Sequence, residues 1–316
     1  MFARLPWKSG LLLVAMATFA MAFKGIFARL IYQHQVSVDA LLIWRFLLAA
    51  PLFWLVAAYL NRGRPQARLT RRQWLGCGLT GLLFFVSAWC DFHAIQALGA
   101  SISRMVLYLF PALIMVFQAI EQRAWPGPMH VLVFAGAWLG IALLLLPGWH
   151  GGAVNGAGLF YGFGAALCYA LFWRASQALM KPLGSVRFNQ FSNSFTLLFM
   201  LALLMPGMSV SSLAITMPAL AWIVVLVVFS TVLPFFLLFE GLNRANATEA
   251  GVVAMFGPVV TVSMAVALFP DEQLGISQWL GVLLVVASIG ALKLRRERPV
   301  PVATPGEKAQ ASGLER

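Results

Sequence analysis

The chain has 316 residues, 61% of them hydrophobic and only 10% charged, with a formal net charge of +12; an ordinary soluble domain carries about 25% charged residues. This composition excludes a soluble fold and defines an integral membrane protein. The basic residues collect between apolar runs on one side of the membrane, so the charge marks topology rather than a nucleic-acid partner.

Apolar runs near the length needed to cross a roughly 30 Å hydrocarbon layer as helix follow one another over residues 10–30, 40–59, 73–92, 102–120, 129–147, 155–175, 188–205, 219–239, 248–269 and 278–294. The connections are too short to hold a soluble domain. The sequence therefore reads as an all-α integral membrane protein, with ten transmembrane helices in two inverted five-helix repeats. The repeats occupy residues 1–150 and 151–296, and a tail rich in Pro, Ala, Gly and charge, expected to be disordered, occupies 297–316. With the N-terminus inside, the cytoplasmic segments take every Lys and Arg except Lys24, Arg29, Arg45 and Arg104. Both termini then lie on the cytoplasmic side of an inner membrane.

At the N-terminus, Arg4, Lys8 and the apolar residues 11–20 imitate a cleavable signal peptide. The run continues to Leu30, and its loss would leave an unpaired half, so the helix is read as retained. Lys24 interrupts this run outward of its middle. Either its amine snorkels outward, with Asp39 as a partner, or it contacts a solute. In the second run Arg45 stands about one and a half turns from the outer end. Residues 62–72 hold five arginines, assigned to topology and to anionic lipid head groups. Gly76, Gly78 and Gly81 imitate a phosphate loop, but no strand precedes them, and close helix packing is the better account. Cys77, Cys90 and Cys168 lie inside apolar runs without metal-ligand spacing and read as packing residues.

The stretch between the third and fourth runs carries the most unusual residues. Trp89, Asp91 and His93 close one helix, a short turn follows over 96–101, and the next helix carries Arg104, Tyr108, a mid-span Pro111 and a terminal Glu121. Ionisable side chains at this depth are costly and mark a functional site by default. Arg104 either pairs with Asp91, closing two helix ends, or captures a solute carboxylate or phosphate with its planar donors. In the second case Asp91 and His93 could carry protons. Trp89 and Tyr108 each lie within about one turn of a charge, as apolar or stacking contacts would. Pro111 and Pro258 are expected to kink their helices.

The second half is barer. Its seventh run carries Asn189, Gln190, Ser192, Asn193 and Ser194, which can bond a neighbouring helix or a polar solute. Glu240 is either an inner-gate carboxylate or a partner for Arg244. Laying Pro111 on Pro258 also sets Ser101 on Thr248, Val106 on Val253 and His93 on Glu240, and brings Glu121 near Asp271 and Glu272. An odd number of spans per half makes the repeats inverted, as in many secondary transporters. The histidines His34, His93, His130 and His150 are scattered and form no acid/base or metal constellation. No GxxxxGK[ST] motif is present. An enzyme, a cofactor protein and an ATP-driven pump are not expected; a non-transporting scaffold or receptor is the main alternative to a carrier.

These residues resemble the drug/metabolite transporter superfamily, EamA type, over residues 10–294. The resemblance is carried by Arg45, by Ala100 with Ser101 and Ala247 with Thr248, by Pro111 and Pro258, by Glu121 and Glu272, and by Gly281 and Gly290. It implies a carrier working by alternating access, often outward, on amino acids, related metabolites or drugs. Lys24 departs from the apolar or small residue usual at that place. With Arg45 and Arg104 it makes the cavity cationic, which disfavours a cationic drug and favours a small anionic or zwitterionic solute.

Overall fold

The computed structural model describes residues 10–62, 68–148, 155–209, 213–268 and 275–296. The joint at 149–152, Asp271, Glu272, the residues before Gly10 and the tail fall outside them. Among the described residues the chain is helical, without strands. Eight helices are long and apolar enough to cross a membrane, and two shorter apolar helices, Ala247–Thr261 and Ile276–Ala291, stand where the ninth and tenth spans are expected.

The first span is divided at Phe23 into α1 (Gly10–Ala22) and α2 (Lys24–Tyr32). α3 (Val38–Leu60) starts at Ser37, whose hydroxyl accepts from the Ala40 amide and satisfies one of the orphan donors of the first turn. α4 (Arg71–Leu107) starts in a capping box, with Thr70 accepting from Gln73 N and the Gln73 side chain accepting from Thr70 N. α5 (Phe110–Gln122) and α6 (Pro128–Leu145) complete the first half. The second half comprises α7 (Gly156–Leu183), α8 (Ser185–Leu204), α9 (Met217–Val227), α10 (Leu233–Arg244), α11 (Ala247–Ala254), α12 (Gly257–Leu268) and α13 (Ile276–Arg296). A single π-helical turn, Val228–Val232, joins α9 to α10 within the eighth span.

α4 cannot be straight. Asp91 and Arg104 would stand about 20 Å apart along a regular helix, yet their side chains meet at 2.6 Å. A Cβ on Gly162 would likewise touch both Val106 and Ala94. The chain therefore reverses between Ala94 and Arg104, over the expected turn, while its backbone stays helical.

The fourth and ninth spans depart from the expected continuous helices. Each is interrupted, at Tyr108–Leu109 and at Met255–Phe256, and restarts as α5 and α12 with Pro111 and Pro258 in the first turn, where a missing N–H costs nothing. The alignment that lays Pro111 on Pro258 also lays one interruption on the other.

Close crossings use glycine. A Cβ on Gly10 would come within 2.7 Å of the Gly241 carbonyl, binding α1 to α10, and Gly140 meets Gly281 in the same way between α6 and α13. In α4, Gly76 lies against Leu179 and Gly81 against Phe195, so these glycines let helices approach, as small residues do in membranes. The polar residues of α8 bond to helix neighbours. The Asn189 amide donates to Phe235 O at 3.2 Å, Ser192 shares a 3.0 Å hydrogen bond with Thr80, and the Thr196 hydroxyl donates to Gly81 O at 3.3 Å.

Candidate functional site: a charged cluster at the helix breaks

The breaks converge. The Tyr108 hydroxyl sits beside Gly257, the first residue of α12, so close that a Cβ there would lie 2.8 Å from it. The Thr261 hydroxyl, one turn further, reaches toward Ala22 O at 3.5 Å, just before the break at Phe23. Three helices, α2, α5 and α12, thus begin near one another inside the span region. A helix start carries the positive end of the helix dipole.

Around these ends lie the charges. Lys24 interacts electrostatically with Arg45, Arg104 and Asp91, and Arg45 with Tyr169 and Tyr32. Arg104 interacts with Asp91, Tyr108 and Tyr169. Lys24 is exposed at the start of α2. Among the described residues it has no hydrogen-bond or ion-pair partner, Asp39 included. Arg104 Nη2 donates to Asp91 Oδ2 at 2.6 Å, so the two helix ends are closed by the pair; the other oxygen, Oδ1, is buried without a partner. Arg45 Nε donates to Thr231 Oγ1 at 2.8 Å, across the two halves of the chain.

Aromatic rings lie next to these charges. Phe110 meets Tyr169 at 4.9 Å and Trp173 at 5.3 Å between ring centroids, and Tyr108 lies 6.3 Å from Phe110. Trp173 is 1% exposed, with its ring 5.8 Å from that of Tyr169. The site combines fixed positive charge, one carboxylate, two tyrosine hydroxyls and apolar rings, which suits a small solute bearing at least one anionic group. Among the described residues no group of His, Cys, Asp and Glu could hold a metal ion.

Not every sequence candidate joins it. Trp89 and His93 lie one turn apart on α4, while Asp91 is rotated about 200° from Trp89. Trp89 and His93 stack at 4.2 Å and both meet Tyr161, at 5.8 and 5.1 Å. Glu240 lies at the arginine-rich end of the bundle. There it accepts from Arg244 Nε at 2.7 Å and from the Ser185 hydroxyl. Two cluster residues escaped the sequence reading of the site, Tyr169 and Thr231. Tyr169 was visible only as one aromatic among many, and Thr231 reaches Arg45 through a π turn that leaves no mark in hydrophobic periodicity.

The arginine-rich end is closed. Arg174 pairs with Glu121, and the Gln177 amide donates to Ala245 O at 2.7 Å and to Leu242 O at 3.3 Å. The Thr248 hydroxyl is 2.6 Å from the Gln118 side-chain oxygen. A polar pocket of about 170 Å³ lies beside this contact. An apolar groove of about 390 Å³ between α1 and α10, lined by Met16, Phe19 and Leu237 among others, has none of the charged residues of the cluster.

Broken spans in two halves, with a charged cluster between them, define a polytopic membrane protein. The chain belongs to the EamA-like transporter family, whose pattern it matches twice, over residues 8–146 and 156–292. It is similar to an uncharacterized transporter of Bacillus subtilis (strain 168), YcbK, at 27% identity over 296 residues, which is 91% of this chain and 94% of the relative. A solved crystal structure superposes with a TM-score of 0.74 at 19% identity, over 92% of this chain and 99% of the other; that likeness establishes the fold alone. The protein is thus a multi-pass membrane transporter with the two-repeat fold of its family.

Proposed function

We propose that this transporter is a secondary carrier that exports a small anionic or zwitterionic metabolite, such as an amino acid or a derivative, by alternating access. Lys24, Arg45 and Arg104 supply the charge contacts and Tyr108 an aromatic one. The observation that carries the reading is the unpartnered amine of Lys24 beside two arginines and an ion pair. Three cations, Lys24, Arg45 and Arg104, face the single carboxylate of Asp91, and a solute that brings a further negative charge balances them. Trp89 and His93 lie on a different face of α4 and belong to an approach region rather than to this cluster. Asp91, with one free oxygen, is better placed for proton coupling than His93 or Glu240.

The arginine-rich end is assigned to the cytoplasm of the inner membrane by the positive-inside rule, with both termini on that side. Its arginines meet anionic lipid head groups. The first test compares metabolites inside and outside cells making the native protein, an Arg104→Ala variant at equal membrane level, or neither. A carboxylated or phosphorylated solute enriched outside only with the native protein is the expected result. Equal export by the variant refutes the role of Arg104, and an indifferent response to collapse of the proton gradient refutes coupling.

A further inference from the structure

We propose that Thr231, presented by the π turn of the eighth span, is a positioning residue that sets Arg45 to receive a solute carboxylate end-on. This rests on the anionic-solute reading and narrows it. Arg45 carries five donors in a rigid fork. One of them, Nε, is engaged by Thr231 Oγ1 at 2.8 Å, and among the described residues neither Nη has a protein acceptor. A carboxylate can bind a guanidinium along the Nε edge or across the two Nη atoms. With Nε occupied, the edge formed by the two Nη atoms is the one left open.

The π turn makes this contact possible. In a regular helix the hydroxyl at position 231 would fall back on the carbonyl four residues before it, Val227 O. Here the extra residue of the turn gives it Leu226 O, five residues before, at 3.3 Å, while its oxygen accepts from Arg45. Single π turns inside α-helices occur frequently at functional sites. The neighbouring Ser230 hydroxyl donates to Ala20 O at 2.9 Å, which ties the bulge to α1 just before the break that presents Lys24. Thr231 is wholly buried and does not itself have to touch the solute.

The test uses full-length protein in lipid nanodiscs, with acetate as a minimal carboxylate and acetamide as its uncharged counterpart, at ionic strength held constant with chloride. Thermal unfolding is followed against ligand concentration, since a ligand that binds the native state raises the midpoint by mass action. Native protein and Thr231→Ser respond to acetate and not to acetamide. Thr231→Val, which keeps the shape and removes the acceptor, needs about tenfold more acetate for the same rise, and Arg45→Gln loses the response. Should valine prevent folding, Thr231→Ala takes its place under the same criterion. Superimposable titrations for native protein and the valine variant overturn the positioning role and leave the cationic site standing. A native protein that does not distinguish acetate from acetamide overturns both.

Discussion

Arg104 Nη2 stands 2.6 Å from Asp91 Oδ2, and the pair bridges the reversal of α4. Each partner therefore has a structural duty besides any contact with solute, and the two duties can be separated. Arg104→Ala leaves Asp91 charged in a partly buried place, which costs more than the pair itself contributes. Asp91→Asn together with Arg104→Gln removes both charges and leaves a neutral amide at each position. The double variant is expected to recover most of the thermal stability lost by Arg104→Ala while still failing to transport an anionic solute. Recovery of transport along with stability would show that Arg104 serves only the fold.

Lys24 offers the cleaner contrast, because nothing among the described residues pairs with it. Lys24→Met keeps the apolar stem and deletes the charge. It is expected to leave the midpoint of unfolding unchanged, since an exposed amine without a described partner has no contact to lose. The half-saturating concentration for an anionic transported solute should rise by about tenfold or more. Loss of stability without a change in transport would identify a structural lysine instead.

The fold was legible where it depends on apolar length. The apolar helices follow from hydropathy, the packing role of Gly76 and Gly81 from their place in one of them, and the paired interruptions from the two prolines. The reversal within α4 was legible too, though not that its backbone stays helical. The breaks at Tyr108 and Met255 were less visible, because proline marks a disturbance without saying whether the helix bends or restarts. At the site, the charges Lys24, Arg45 and Arg104 stand out against an apolar background. Thr231 and Tyr169 do not, since a hydroxyl and a ring are unremarkable in a membrane helix until folding brings them to a charge. Trp89, two residues from Asp91, lies about 200° from it around the helix, a separation that closeness in sequence hides.

The contact between Tyr108 and Gly257 predicts a compensating pair. A Cβ on Gly257 would meet the Tyr108 hydroxyl at 2.8 Å, whereas ring atom Cζ lies 3.9 Å away. Gly257→Ala is therefore expected to destabilise the protein by about 1–3 kcal/mol through overpacking. Tyr108→Phe removes only the offending oxygen, so the double variant should unfold near the midpoint of Tyr108→Phe alone. Additive losses in the thermal midpoint would mean that the strain lies in the backbone at the break.

The proposed alternating access requires the arginine-rich end to open, and the ion pair of Glu121 with Arg174 is a contact between the two halves that would then part. Arg174 also donates to Gln177 at 3.4 Å, and Gln177 in turn holds the Leu242 and Ala245 carbonyls, so one substitution loosens the whole closure. Arg174→Gln removes the charge that ties α7 to the end of α5. Ala245 is only 7% exposed behind this network and reports on it. In a background with Cys77, Cys90 and Cys168 replaced by alanine, an Ala245→Cys probe should react slowly with a water-soluble maleimide. Adding Arg174→Gln is expected to raise that rate several-fold, and excess substrate should change it further by shifting the populations of the two states. A rate indifferent to Arg174→Gln would place the closing contact elsewhere, with the Glu240, Arg244 and Ser185 group at the start of α8 as the next to remove.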